Sequence, residues 1–364
     1  MDATGDLIVR TPQGLYCPDA DVHIDPWRSV PRAVITHAHA DHARRGHGAY
    51  LCSAEGAPVL RARLGDIQLQ TLPYGEVLRI GAAEISLHPA GHVLGSAQVR
   101  IAARGQVWVA SGDYFCTSAQ VEAADHSSGL RGTCSPFEPV RCHTFITEST
   151  FGLPLFRWRA AHAVMADIRQ WWADNARDGR ISVLFGYSFG KAQRLLAGLW
   201  EGPGPVFVHP AVAQINRAYA ESGVALPATT ALPANPARGE PLPRQSLIVA
   251  PPSGLSQAWQ RALQPSSEAF ASGWMQLRGL RRRQSLDRGF VLSDHADWPG
   301  LQRAIAATGA ERVIVTHGYE DVMVRWLQQQ GLQAHRLETP FGQEDGAAPG
   351  AEPAQALVEA AAAD

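Results

Sequence analysis

The stretch Thr36-His37-Ala38-His39-Ala40-Asp41-His42 sets three imidazoles and a carboxylate within six residues, directly after an apolar segment ending at Ile35. On a strand end and the turn that follows, four such side chains at alternating spacing converge on a small volume. A solvated loop has no reason to gather them. The motif therefore requires a sheet edge to hold it and further ligands to complete it, and it reads as a metal site.

Further candidates sit where other apolar strands begin or end: His92 in HPAGHVLGSA, Asp113 in VWVASGDY and His317 in RVIVTHGY. Physically, a bound divalent ion produces a potent nucleophile from water and polarises a substrate oxygen, so a metal site of this kind points to hydrolysis. The nitrogen and oxygen donors suit zinc, and the carboxylates also suit manganese.

The texture of the chain changes along its length. Residues up to about 150 read as short strands and turns, with strands at Leu7–Val9, Val22–Ile24, Ala33–Ile35, Val77–Ile80, Glu84–Leu87, Gln98–Ala102, Val107–Ala110 and Thr144–Thr147. Helical pattern is confined there to Ala57–Leu64, and Ala119–Pro139 reads as a loop. From Phe156 onward helices alternate with apolar strands: helix Arg159–Arg177, strand Ser182–Phe185, helix Lys191–Leu199, strand Val206–Val208, helix Ala211–Glu221 and strand Ser246–Ala250. That is a βαβ cassette with a parallel sheet, and Ala225–Pro243 reads as a surface connection. Strand Phe290–Leu292, a helix begun by Asp297, strand Arg312–Thr316, helix Glu320–Gln330 and strand Gln333–Leu337 then restore the first style. The expected layout is a first domain over 1–155 and 286–342, interrupted by a cassette over 156–285, with a disordered tail over 343–364 whose Ala, Gly, Pro, Glu and Asp cannot bury enough apolar surface to order themselves.

Composition narrows the function classes. A net charge of −2 provides no global positive field, so any nucleic-acid surface must be local. The five scattered cysteines form no Cys-x-x-Cys pair and read as reduced and structural. No apolar run is long enough to span a bilayer, and the first residues lack the basic start and apolar core of a secretory signal, so the expected address is cytoplasmic. Lys191 is the only lysine among 32 basic residues, and it falls in the strand-to-helix turn GYSFGKAQ. Free backbone N–H groups and the helix dipole at such a turn favour an anion, so Tyr187, Ser188, Gly190 and Lys191 are candidate phosphate-binding residues. The run RGLRRRQSLDR, with Arg278, Arg281, Arg282 and Arg283, is a candidate DNA-backbone grip.

His37-x-His39-x-Asp41-His42 with His92, Asp113 and His317 resembles the complete binuclear ligand set of the metallo-β-lactamase fold. The resemblance implies an α/β chain, an αββα sandwich, with His37, His39 and His92 on one metal, Asp41, His42 and His317 on the other, and Asp113 bridging. Asp25, at the end of VHIDP, matches the first acidic motif of that fold and would orient a ligand histidine. Glu148 in ITESTFG resembles motif A of the β-CASP nucleases and His295 in FVLSDHADW resembles motif B, which implies an inserted β-CASP cassette and a phosphodiester substrate. A carboxylate that keeps an imidazole charged makes a general acid for the leaving 3′ oxygen.

APPSG, ASGWMQLRG, GFVLSDHADWPGL and VTHGYE resemble the bacterial ligase-associated DNA exonucleases, close to the Artemis-type branch. By that resemblance, covering residues 5–342, the chain is a repair exonuclease acting on single-stranded DNA from 5′ ends. It implies two divalent ions, Zn or Mn, and functional association with an ATP-dependent DNA ligase and a helicase. The Artemis-type branch usually carries valine at motif C, whereas His317 follows the RNA-processing branch. A ribonuclease of the RNase J or 3′-end-processing kind stays open as the alternative.

Overall fold

The structure, a computed structural model, describes residues 5–128, 132–236, 241–252, 254–277 and 286–337. Among them, nineteen strands form three sheets, with eight α-helices around them. The first sheet runs in chain order: β1 (Val9–Thr11), β2 (Gly14–Cys17), β3 (Val22–Ile24), β4 (Arg32–Val34), β5 (Ala49–Ser53) and β6 (Leu69–Leu72), antiparallel to β3 and parallel from there on. In the second, the antiparallel strands β7 (Val77–Ile80), β8 (Ala83–Pro89), β9 (Ala97–Ala103) and β10 (Gln106–Ala110) continue into parallel β11 (Thr144–Ser149), β18 (Arg312–Gly318) and β19 (Gln333–Arg336).

These two sheets pack face to face through Ile24, Val34 and Leu51 on one side and Ile85, Val99 and Ile314 on the other. Alternation along β11 shows why both faces are buried: Ile146 enters this inter-sheet core, while its neighbour Phe145 meets Leu301 of α7 (Trp298–Thr308) and Leu327 of α8 (Glu320–Gln329). The outer face of the first sheet is covered by α1 (Ala57–Leu64) through Val59 and Leu60. The layers are thus helix, sheet, sheet, helix.

The third sheet has the order β14 (Thr230–Ala231), β13 (Val206–Val208), β15 (Leu247–Ala250), β12 (Ile181–Phe185), β16 (Ser266–Ala271) and β17 (Arg288–Phe290), parallel throughout. Leu184 and Val249 face α3 (Ala161–Arg177) and α4 (Lys191–Gly198), while Val183 and Ile248 face Trp259 of α6 (Gln257–Ala262). From this unit α5 (Pro210–Glu221) reaches across, burying Ile215 and Tyr219 with Val59 and Leu60 of α1.

Several expectations are corrected. Residues Ala119–Ser127 of the expected loop form a helix, α2, capped by Ser118, whose hydroxyl accepts from Val121 N at 3.3 Å. Asp125 of α2 in turn accepts from Ala161 N and His162 N at 2.9 and 3.0 Å, which fixes the start of α3 two residues later than the pattern indicates. The strand expected at Phe290–Leu292 is β17, earlier in the chain and on the edge of the third sheet, so that sheet continues past residue 285. The first strand is Val9–Thr11, while Leu7 and Ile8 are core residues outside it, and β14 interrupts the Ala225–Pro243 connection. The tail over 343–364 lies outside the described residues. No helix among the described residues is long and apolar enough to cross a membrane.

Candidate metal centre

Parallel strands bring their C-terminal ends to a common edge, and the candidate residues occupy that edge in both sheets. Asp25 follows β3, the motif from Thr36 follows β4, Asp113 follows β10, Glu148 lies near the end of β11 and His317 near the end of β18. His92 lies in the turn between antiparallel β8 and β9, with its N–H donating to Ser96 Oγ at 3.1 Å. Gly112, at φ +55°, makes the turn to Asp113 possible, because a Cβ there would lie 2.7 Å from the Thr36 side chain.

The side chains divide into two groups that share Asp113. His37 Nε2 and His92 Nε2 lie 3.0 and 3.1 Å from His39 Nδ1, and 3.6 and 3.8 Å from Asp113 Oδ2. On the other side, His42 Nε2 is 3.3 Å from Asp41 Oδ2 and 3.5 Å from Asp113 Oδ2, while His317 Nε2 is 3.2 Å from Asp113 Oδ1. Of these seven residues only His39 is more than marginally exposed.

The far nitrogen of each imidazole has its own neighbour. Asp25 Oδ2 lies 2.7 Å from His42 Nδ1, Phe189 O lies 3.3 Å from His39 Nε2, and Asp294 O lies 2.8 Å from His92 Nδ1. The hydroxyls of Thr36 and Thr316 each lie 3.1 Å from Nδ1 of the histidine that follows them. Asp25 is itself held by donation from Thr36 N at 2.7 Å and Thr36 Oγ1 at 2.5 Å. When the outer nitrogens of His39 and His92 donate to carbonyls, lone pairs remain on the inner ones.

This arrangement fits a divalent cation. Ligand atoms of His37, His39, His92 and Asp113 all lie within 4.8 Å of one another. A tetrahedral site with bonds of 2.0–2.1 Å has edges of about 3.3–3.4 Å, close to the spacings here. Burial holds His37 and His92 well below the usual histidine range and lowers His39, so all three present neutral nitrogens. Against the burial that opposes its charge, His42 is raised well above the ordinary value by Asp41, Asp113 and Asp25. Burial also opposes charge on Asp41 and Asp113, yet His42 holds both carboxyls far down. Asp41 Oδ1 is buried with no hydrogen-bond partner among the described residues, as expected of an oxygen that faces a cation.

Glu148 and His295 adjoin this cluster. Glu148, 1% exposed, accepts from Tyr114 N at 2.8 Å and Thr150 Oγ1 at 2.5 Å and brackets His295 Nδ1 at 2.9 and 3.0 Å. The His295 ring lies 4.5 Å from that of His92. Burial disfavours the imidazolium, but Glu148 and Asp113 outweigh it and push His295 up to about 9.

The turn over Tyr187, Ser188, Gly190 and Lys191 differs from its sequence reading. Its amides are used internally: Gly190 N donates to Gln193 Oε1 at 2.9 Å and Ala192 N to Tyr187 O at 3.0 Å. Lys191, 3% exposed, turns inward to Leu292 O at 2.7 Å and Asp294 Oδ2 at 3.0 Å. Its ammonium therefore does not face an external phosphate. Arg278, Arg281, Arg282 and Arg283 lie outside the described residues. The sequence reading missed Thr36, Thr316 and Asp294; the twice-repeated Thr-His dipeptide was the available signal for the first two. The five cysteines are free, as expected.

No family model matches the chain. It is 31% identical over 328 residues to a probable DNA ligase of Opitutus terrae; the match takes in 90% of this chain but 30% of the relative, so the chain spans less than a third of that protein. Among solved structures it resembles a protein of unknown function from Enterococcus faecalis V583, with a TM-score of 0.53 and 13% identity over 78% of this chain and 74% of that one. That likeness concerns the fold alone.

Proposed function

We propose that the chain is a metal-dependent phosphodiester hydrolase, an exonuclease acting on single-stranded DNA from 5′ ends in repair, with a metallo-β-lactamase fold carrying an inserted β-CASP cassette. The observation that carries this reading is the position of Asp113 between two ligand groups, with the Glu148–His295 pair at its edge. His37, His39 and His92 would hold one ion and Asp41, His42 and His317 the other, with Asp113 shared. Two bound divalent ions supply Lewis acidity toward the phosphate and an activated water.

The chain's own residues account for the rest. Glu148 occupies Nδ1 of His295, which leaves Nε2 to carry the transferable proton. As the P–O bond to the leaving 3′ oxygen breaks, that proton moves from His295 Nε2 to the oxygen. The products are a free 3′ hydroxyl and a 5′ phosphate. The Opitutus relative, by its name a DNA ligase, favours DNA. His317 beside Asp113 Oδ1 favours the second reading, an RNA-processing nuclease, because histidine at this motif follows the RNA branch.

The test is a comparison of end-labelled single-stranded DNA and RNA of one sequence, with Mn²⁺ or Zn²⁺ and labels at either end. Progressive release of nucleotides from the 5′ end of DNA is expected. Degradation of RNA alone would replace the first reading with the second.

A further inference from the structure

The region that docks the third-sheet unit against the ligands is built around buried charge. Asp294 is 8% exposed and lies between two cations of α4, Lys191 Nζ at 3.0 Å from Oδ2 and Arg194 Nη1 at 3.1 Å from Oδ1. The same cations hold the backbone on either side: Lys191 Nζ donates to Leu292 O at 2.7 Å, and Arg194 Nη1 donates to Ser293 O. Three consecutive residues of the segment that leads to His295 are therefore clamped to one face of one helix.

Two carbonyls leave this assembly toward the metal centre. Asp294 O meets His92 Nδ1 at 2.8 Å, and Phe189 O, two residues before Lys191, meets His39 Nε2 at 3.3 Å. Gly190 between them permits the approach: its φ is +83°, and a Cβ there would stand 2.2 Å from Val93 Cγ1, the neighbour of His92. The Phe189 ring packs on the His39 ring, with centroids 4.9 Å apart. Two of the three imidazoles in the first ligand group thus direct their outer N–H toward backbone carbonyls, one in the segment this ion-pair cluster clamps and one in the turn that leads into Lys191.

We propose that Lys191, with Arg194 and Asp294, is a positioning cluster that sets the orientation of His39 and His92, so that affinity for the ion on the His37, His39 and His92 side depends on a cation buried in the third-sheet unit. The inference rests on the metal-centre reading of the proposed function. Carbonyl and carboxylate partners of a ligand histidine fix its tautomer and ring angle, and their loss typically weakens metal affinity about 10- to 100-fold. A compact ammonium on a flexible stem suits a site that must reach a carbonyl and a carboxylate together, and a planar guanidinium does not replace it. That accounts for the only lysine in an arginine-rich chain.

The test uses the full chain with Zn²⁺ and Co²⁺ as probes. Metal affinity is read by competition with a chromophoric chelator, and ligand geometry by the visible absorption of the cobalt form. Both are measured well below the melting temperature of each metal-free variant. Lys191→Met is expected to weaken binding at one of the sites about 10- to 100-fold and to change the cobalt spectrum. Arg194→Gln, whose side chain is 18% exposed and whose loss leaves Lys191 in place, is expected to give a smaller change in the same direction, and it decides the matter if Lys191→Met does not fold. Folded variants with parental affinity and spectrum, differing only in melting temperature, would overturn the positioning role alone. A parent chain that binds neither metal would overturn this inference together with the metal-centre reading.

Discussion

Glu148 brackets His295 Nδ1 with both carboxylate oxygens, at 2.9 and 3.0 Å, while its own oxygens are fixed by Tyr114 N and Thr150 Oγ1. A carboxylate held from behind cannot follow the imidazole if it rotates. The ring therefore keeps one edge committed to Glu148 and presents the other.

If this edge delivers a proton to the leaving oxygen, Glu148→Gln and His295→Ala should each reduce DNA hydrolysis about 10²- to 10⁴-fold. The same variants should lose far less on bis(p-nitrophenyl) phosphate, whose leaving group departs without a proton. Equal losses on both substrates would remove His295 from the acid role.

Asp113 reaches both ligand groups, with Oδ2 toward His37, His92 and His42 and Oδ1 toward His317. Asp113→Ala should abolish hydrolysis and reduce the number of metal ions retained per chain after dialysis, measured by elemental analysis. Unchanged metal content with activity within tenfold of the parent would dismiss the shared-ligand assignment.

The clustering of His37, His39, His92 and Asp113 is legible in the sequence because each lies at or just beyond the end of an apolar strand, and the sheets gather such ends at one edge. The direction of a side chain was not readable in the same way. Lys191 resembled an anion site because it opens a helix after a glycine turn, but its stem follows a carboxylate on Asp294, far along the chain. Helix α2 leaves no mark in the sequence for a related reason: none of its residues is buried, so no apolar face signals it. Its role is to place Asp125 on the start of α3, a long-range contact without a local pattern.

Asp25 receives Thr36 N, Thr36 Oγ1 and His42 Nδ1 on one carboxylate, and its φ of +43° shows how tightly the backbone is turned to place it. Asp25→Ala should weaken metal binding about 10- to 100-fold through His42, with the loss concentrated on the Asp41 and His317 side. Chelator competition on the folded variant measures it. Affinity equal to the parent's would leave Asp25 a turn residue only.

A groove of about 710 Å³ is lined by Arg157, Arg159 and Arg288 together with Asp167 and Asp287. Arg159 is paired with Asp167 at 2.7 Å, whereas Arg157 and Arg288 are in no ion pair among the described residues. Trp158, between the first two arginines in the chain, donates Nε1 to the backbone oxygen of His295 at 2.9 Å. Arg288→Ala should weaken binding of a single-stranded oligonucleotide and reduce its salt slope by about 1, with hydrolysis of bis(p-nitrophenyl) phosphate unchanged. An unaltered slope in fluorescence anisotropy across salt would exclude a phosphate contact at Arg288.

Outside the cluster, burial lowers the pKa of His88, His209 and His335 below 6.5, although Glu138 opposes the shift at His88, a backbone contact at Gly254 opposes it at His209, and Arg312 adds to it at His335. The unfolded chain takes up protons at these positions near pH 6.5, while the folded chain does so only at lower pH. Between the two, the unfolded state holds more protons, so stability falls as pH falls through the unfolded value and levels off once the folded histidines also protonate. The urea midpoint of the metal-free protein should therefore drop between pH 7.5 and 5.5. A His209→Gln, His335→Gln double variant should drop less over the same interval, since neither glutamine titrates. A parallel decline in variant and parent would place the acid sensitivity in other groups.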